Sequence, residues 1–256
     1  MGKIIVQKFG GTSVQDRTSR DLALDHVEAA IAQGYKVVMV VSAMGRKGDP
    51  YATDSLFGLV SDGQETKLNN QELDQLMATG ELISMSVMVN QARQRGMNVT
   101  GLTGAQAGIH TNQNYQSAQV DYVDPTIITN AFQNADVVVV AGFQGVTVDG
   151  HVTTLGRGGS DTSATAIGAA VGARFVDIFT DVDGVMDHDP KQDPNAQVIP
   201  FLTYEEMESM ANHGAKVVHP RAVKIAMNAQ IPFRVRSTYR VTAHGCTIIG
   251  SNNLNK

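Results

Sequence analysis

The run Thr153-Thr-Leu-Gly-Arg-Gly-Gly-Ser-Asp-Thr-Ser-Ala164 gathers three glycines, a guanidinium, a hydroxyl and a carboxylate ahead of a stretch of small residues. Gly156, Gly158 and Gly159 admit backbone angles closed to other residues and let a ligand approach the main chain. Ser160 or Asp161 is a natural N-cap for a helix over Thr162–Ala173. Amides at such a helix start favour an anion, and Arg157 adds a planar fork suited to a carboxylate or a phosphate. Asp161 places negative charge where that anion would sit. Its presence points to a bound cation, or to a cationic group shared with the anion. A capped helix after a tight turn accounts for the glycines but not for the charges that flank them.

A second turn of this kind, Lys8-Phe-Gly-Gly-Thr-Ser13, closes the first predicted strand. Backbone amides around Gly10 and Gly11 can face a phosphate, with Lys8 as a point charge. The order of residues is not that of a Walker A loop. Two Gly-Gly-Thr/Ser turns, each beside a basic residue, describe a phosphate flanked from both sides. Glu81 lies in Ala78-Thr-Gly-Glu-Leu-Ile83 among apolar neighbours, where a lone carboxylate suits a substrate ammonium group. Together, Glu81 and Arg157 match the two charged groups of an α-amino acid. The acidic series Asp177, Asp181, Asp183, Asp187 and Asp189 is not an EF-hand loop, because Met186 and Gln192 stand where that loop needs Gly and Glu. These carboxylates are expected to shape turns, with one or two near a nucleotide or a magnesium shell. The seven histidines have no ligand spacing. No nucleophile–base pair is visible, as expected where catalysis consists of positioning and charge neutralisation.

Composition limits the alternatives. With 42% hydrophobic and 18% charged residues, the 256-residue chain has the balance of a globular protein large enough for one α/β domain or two close lobes. A net charge of −5 without a basic patch argues against nucleic acid as a partner. Cys246 is the only cysteine, so no intramolecular disulfide can form. The first residues read as a strand rather than a signal peptide, and no apolar run approaches the roughly 20 residues that span a bilayer. A soluble, cytoplasmic protein with no membrane partner is the expectation.

The elements that would position these groups alternate between strand and helix. Ile4–Phe9, Lys36–Val41, Asn98–Leu102, Asp136–Val140, Phe175–Thr180 and Pro232–Arg236 read as strands, several as unbroken apolar runs of a parallel sheet. Helices are predicted over Arg17–Gln33, capped from Thr12 or Ser13, and over Asn70–Arg95, as one helix or two broken near Gly80. Leu73, Leu76, Met77, Ile83, Val87 and Met88 would face inward from the second. Tyr204–Asn212 and Ala222–Asn228 are shorter helices. Val146–Val148 and His151–Thr154 flank Asp149-Gly150, a two-residue hairpin signal. Arg46–Asp54 is irregular, and Val241–Lys256 is weakly patterned. The pattern implies a three-layer α/β/α sandwich around a mostly parallel sheet, with a lobe boundary near Gly172.

With Lys8-Phe-Gly-Gly-Thr-Ser-Val14, Val41-Ser-Ala-Met-Gly45, Gly156-Arg-Gly-Gly-Ser-Asp-Thr162, Thr180-Asp-Val-Asp-Gly-Val185 and Gly214-Ala-Lys-Val-Val-His-Pro-Arg221 in order, the chain resembles the aspartokinases, a branch of the amino-acid kinase superfamily. The similarity runs from about Lys3 to Tyr239 and looks most like the catalytic part of the Bacillus-type enzymes. It implies an amino-acid kinase fold over residues 1–240, with an amino-acid lobe (1–172) and a nucleotide lobe (173–240), and a tail (241–256) where ACT domains would begin. It also implies transfer of the γ-phosphoryl group of ATP to the β-carboxylate of L-aspartate, with Mg²⁺ carried on the ATP phosphates. On this resemblance Lys8 and Asp161 would be catalytic. Phe9, Gly10, Gly11, Thr180, Asp181, Lys216 and Val217 would contact ATP with Lys8. Met186 and Lys191 occupy nucleotide positions where many relatives carry Tyr and Arg. Ser42, Thr53, Glu81, Arg157, Gly158, Gly159 and Ser160 would hold aspartate. Relatives continue into two ACT modules, whereas this sequence stops at Lys256. The resemblance therefore implies an unregulated catalytic unit, a piece of a longer chain, or one partner of a separate regulatory ACT-domain chain, and a homodimer would have to use the kinase domain itself.

Overall fold

The valine runs at 37–41 and 137–141 have no residue exposed, because both lie inside one sheet covered on its two faces. The computed structural model describes residues 3–61, 63–188, 193, 195–213, 217–240 and 246–252. In chain order these form β1 (Lys3–Phe9), a 3-10 turn (Gly11–Ser13), α1 (Arg17–Ala32), β2 (Tyr35–Val41), α2 (Thr53–Ser61), α3 (Asn70–Gln94) and β3 (Val99–Leu102). They continue with β4 (Ile109–Thr111), β5 (Val120–Val123), α4 (Thr126–Ala131), β6 (Val137–Ala141), β7 (Gln144–Val146), β8 (Val152–Thr154) and α5 (Gly159–Ala170). Last come β9 (Val176–Thr180), β10 (Phe201–Thr203), α6 (Tyr204–Asn212), α7 (Pro220–Ala229), β11 (Phe233–Ser237) and β12 (Thr247–Gly250).

Eight strands make the main sheet, in the order β10-β12-β11-β9-β1-β2-β6-β3, with only the β11–β12 pairing antiparallel. Strand alternation divides the core into two layers. Val6, Val38, Val40 and Ile178 pack with Ile167 of α5 and Met207 of α6 on one face. Ile5, Phe9, Met39 and Phe179 pack with Leu24 and Val27 of α1 and Met88 of α3 on the other. The expected α/β/α sandwich is observed. The sheet runs without interruption across Gly172, since β9 sits directly beside β1.

Several local expectations are corrected. Asp16 caps α1, accepting from the Ser19 amide at 2.7 Å, while Thr12 and Ser13 lie in the 3-10 turn. The 25-residue α3 is unbroken at Gly80 and opens on a reciprocal Asn69–Glu72 capping box. Its inward stripe is more polar than the pattern implies: Asp74, Glu81, Ser84 and Gln91 are buried, whereas Leu76, Met77, Ile83 and Val87 are half-buried. The β7–β8 hairpin closes by a Gly150–Thr147 amide–carbonyl bond with Thr147 bonded to His151, so its loop has one residue more than a two-residue turn. Arg46–Asp54 is less irregular than expected, since α2 starts at Thr53. Strands β4 and β5 of a four-stranded sheet, β5-β4-β7-β8, and β10 and β12 at one side of the main sheet carry no clear sequence pattern.

Candidate active site

From β1 the sheet extends on one side through β2, β6 and β3, formed first along the chain, and on the other through β9, β11, β12 and β10, formed after it. Such a reversal leaves a crevice at the carboxyl ends of the parallel strands. Lys8 is near that end of β1. A cavity of about 500 Å³ opens there, lined by Lys8, Ser42, Thr53, Glu81, Arg157, Gly158, Gly159, Ser160 and Asp161. Nine positions selected from sequence, spread over more than 150 residues, thus share one wall. Asp54, Phe57, Leu73, Met77, Gln116 and Phe143 complete the lining without a motif that marks them in advance, and Thr154 joins them from the start of the Thr153–Ala164 run.

The Gly-rich run turns into α5 by left-handed angles at Gly156 (φ +71°) and Gly158 (φ +67°). At Gly158 a Cβ would also collide with the His219 side chain, so only glycine fits. Gly158 is therefore the N-cap, and the helix begins at Gly159, earlier than expected. Ser160 and Asp161 occupy its first turn rather than its cap, and no side chain caps the helix. The Gly159 amide donates to the Gly156 carbonyl at 3.0 Å, and the Ser160 and Asp161 amides that follow are the ones a helix start offers to a ligand. The rest of α5 is buried almost all round, which its hydroxyls survive by bonding back to its own carbonyls: Thr162 to Gly158, Ser163 to Gly159 and Thr165 to Asp161.

Asp161 Oδ1 lies 2.8 Å from Lys8 Nζ, with both side chains largely buried. The contact is an ion pair without the angles of a directed hydrogen bond. Oδ2 receives the His219 amide at 3.4 Å. Burial, then the nearby Arg221 guanidinium, lowers the pKa of His219, which keeps that ring neutral near pH 7. Arg221 donates to the Leu155 carbonyl at 2.6 Å and the Ala118 carbonyl at 3.3 Å, tying α7 to the strand that leads into the glycine turn.

Glu81 is 2% exposed. Its Oε1 accepts the Ala43 amide at 3.0 Å, and its Oε2 has no partner. Burial raises its pKa to about 8. An unpartnered buried carboxylate oxygen is costly, and a cationic ligand group would offset that cost. Arg157, at the exposed rim, makes no ion pair among the described residues.

The remaining described candidates are not among the residues that line this cavity. The Phe9 ring is fully buried and stacked on Phe179 at 4.5 Å, so only its main chain can face a ligand. Gly10 and Gly11 follow at the strand end, where the Gly11 carbonyl accepts the Gly45 amide at 3.0 Å. Thr180 and Asp181 end the adjacent β9, and Asp181 is paired with Arg46 at 2.9 Å. Met186 bridges to Val198, and Val217 precedes α7. Lys191 and Lys216 lie outside the described residues. Asp177 is fully buried away from the cavity between Arg234 and Arg236, at 2.6 and 3.0 Å, so it is structural. Asp183 pairs with Arg240. Among the described residues no three His, Cys, Asp or Glu side chains form a metal cage. A divalent ion here would have to arrive largely coordinated by its ligand.

The chain is similar to Aspartokinase 1 of Bacillus subtilis (strain 168), 53% identical over 98% of this chain and 63% of that protein. It is also similar to Aspartokinase 2 of the same organism, at 42% over 94% and 57%. It thus spans less than two thirds of the length of either relative. Among solved structures, the aspartate kinase from Synechocystis superposes with a TM-score of 0.82 at 37% identity, covering 97% of this chain and 40% of that one. The UMP kinase from Ureaplasma parvum, at 18% identity and a TM-score of 0.69 over its full length, shares the fold. Residues 3–237 match the Amino acid kinase family, and the chain belongs to that family.

Proposed function

We propose that this chain transfers the γ-phosphoryl group of ATP to the β-carboxylate of L-aspartate, giving ADP and 4-phospho-L-aspartate. The observation that carries this reading is one cavity holding a buried carboxylate with a vacant oxygen and a free guanidinium beside a Lys–Asp pair. Glu81 Oε2 takes the substrate ammonium, and Arg157 holds its α-carboxylate through two parallel bonds. Ser42, Thr53, Ser160 and the main chain at Gly158 and Gly159 complete the amino-acid site. The β-carboxylate is then directed at Lys8 and the first turn of α5.

An ionised carboxylate needs no general base. Its oxygen attacks the γ-phosphorus, the bond to the β-phosphate oxygen breaks, and ADP leaves with the electron pair. Lys8 neutralises charge on the phosphoryl group in flight, and Asp161 aligns Lys8. Backbone amides at Gly10, Gly11 and the α5 start face the phosphates. Phe9, Thr180, Asp181, Met186, Lys191, Lys216 and Val217 form the nucleotide side, in the 173–240 half together with the β1 turn. Mg²⁺ would be carried on the ATP phosphates and neutralise part of their charge. The names of the Bacillus subtilis relatives support the substrate assignment. Among the described residues no helix is long and apolar enough to cross a membrane, and we place the activity in the cytoplasm.

The test is ADP release with L-aspartate, L-glutamate, N-acetyl-L-glutamate and UMP as alternative acceptors. Release that depends on L-aspartate supports the assignment. Release only with another acceptor moves the chain to another branch of the same family.

A further inference from the structure

Asp74 and Glu81 are seven residues apart on α3, which returns them to the same helix face two turns, about 10 Å, apart. Both are buried, and each holds the main chain of a different wall of the cavity. Glu81 accepts the Ala43 amide beside Ser42, and Gly80 lets Ala43 pack so closely that a Cβ would come within 2.8 Å of the Ala43 methyl. Asp74, fully buried and in no ion pair among the described residues, accepts the Gln116 amide on both oxygens at 3.0 Å, the Thr154 amide at 2.7 Å and the Thr154 hydroxyl at 2.7 Å.

These two points bracket the arm that carries Arg157. Thr154 leads into Leu155-Gly156-Arg157, and a Cβ on Gly156 would meet the Gln116 carbonyl oxygen at 2.9 Å. Gln116 is held at φ +66°, an angle that costs a non-glycine residue free energy, and its side chain donates to Asn70 at the start of the same helix. A four-contact anchor holding a strained residue against the base of the guanidinium arm exceeds what burying one helix turn requires.

We propose that Asp74 is a positioning residue that fixes the distance from Arg157 to Glu81, with α3 as the ruler, and so selects substrates by the spacing of their charged groups. The proposal rests on the assignment of Glu81 and Arg157 to the two charged ends of an amino acid. A displacement of the arm by about 1 Å would loosen substrate capture, while the nucleotide side would be untouched.

The test compares Asp74→Ala and Asp74→Asn with the unaltered chain. Asp74→Ala should raise KM for L-aspartate by about tenfold or more, narrow the preference over L-glutamate, and change KM for ATP by less than about twofold. Asp74→Asn should restore KM to within about threefold, because its amide oxygen can accept both backbone N–H groups while its NH2 donates to the Thr154 hydroxyl. Thr154→Val, which removes one bond only, should fall between them and serves if Asp74→Ala fails to fold. Hydrogen exchange supplies a readout independent of substrate: Asp74→Ala should speed exchange at Gln116 and over 154–158 while 85–92 of α3 keeps its protection. A lower Tm with unchanged KM would overturn the proposal, as would an Asn variant as damaged as the Ala variant. If the chain uses an acceptor other than aspartate, the functional assignment fails, but the same KM comparison on that acceptor still decides the role of Asp74.

Discussion

Lys8 at the end of β1 and Asp161 in the first turn of α5 are joined across 153 positions of sequence by a 2.8 Å ion pair at the floor of the cavity. The pair fixes an ammonium group beside helix-start amides. It links two glycine turns that the chain keeps far apart.

Removing either partner should therefore slow the chemical step more than it weakens binding. Lys8→Ala and Asp161→Asn are each expected to lower kcat by about 10² to 10³ with KM for aspartate changed only a few-fold. Steady-state kinetics beside circular-dichroism melts separates this from unfolding. An Asp161→Asn enzyme with unchanged kcat would contradict the alignment role.

Glu81 predicts a pH dependence. Its carboxyl holds its proton up to about 8 in the folded chain, against 4.5 for an ordinary glutamate. Lys8, Asp54, Arg157 and Asp161 are the other charged groups sharing the cavity. Substrate ammonium pairs with the ionised form, so KM for L-aspartate should fall by close to tenfold per pH unit from about 6 to 8 and then flatten. Glu81→Gln should raise KM and abolish that slope. Between pH 4.5 and 8 the folded state binds more protons than the unfolded state, so the Glu81 contribution to stability is lost as pH rises through this window. Urea melts of the Gln variant should lack that decline. A pH-independent KM across the window would remove Glu81 as the ammonium ligand.

Arg157 is expected to act by shape as well as charge. Arg157→Lys keeps the charge but loses the two-pronged fork, and should raise KM for aspartate by about tenfold with a smaller effect on kcat. Equal kinetics for the Lys variant would show that a point charge suffices.

Two ion pairs should differ sharply in their effect on stability. Asp177 is fully buried between Arg234 and Arg236, and Asp177→Ala leaves the guanidinium pair without its counter-charge, for a loss of about 3–5 kcal/mol. Arg46→Ala breaks an exposed pair with Asp181, at 68% and 50% side-chain exposure, and should cost under about 1 kcal/mol. Thermal melts test the contrast. Similar Tm losses in the two variants would refute it.

The parallel core and seven of the nine cavity residues are legible in the sequence because their signals are local, whereas Ser42 and Thr53 enter only through the family resemblance. An apolar run marks a doubly covered strand, and a Gly-Gly turn beside Lys or Arg marks an anion site. Asp74, Gln116 and Thr154 are not legible, because their role exists only where α3, β8 and the 112–119 loop meet. Val241–Lys256 shows little pattern, yet β12 completes the sheet by pairing with β10 and β11, whose neighbours in space are distant in sequence. The start of α5 is not legible either, because two serviceable cap side chains, Ser160 and Asp161, follow a glycine whose left-handed angle lets the helix begin before them.

The central claim is an acyl phosphate on the β-carboxylate of aspartate, and hydroxylamine trapping tests it most directly. Incubated with ATP, Mg²⁺, L-aspartate and hydroxylamine, the chain should form the β-hydroxamate of aspartate in step with ADP. ADP without hydroxamate, or hydroxamate formed from glutamate but not aspartate, would contradict the account.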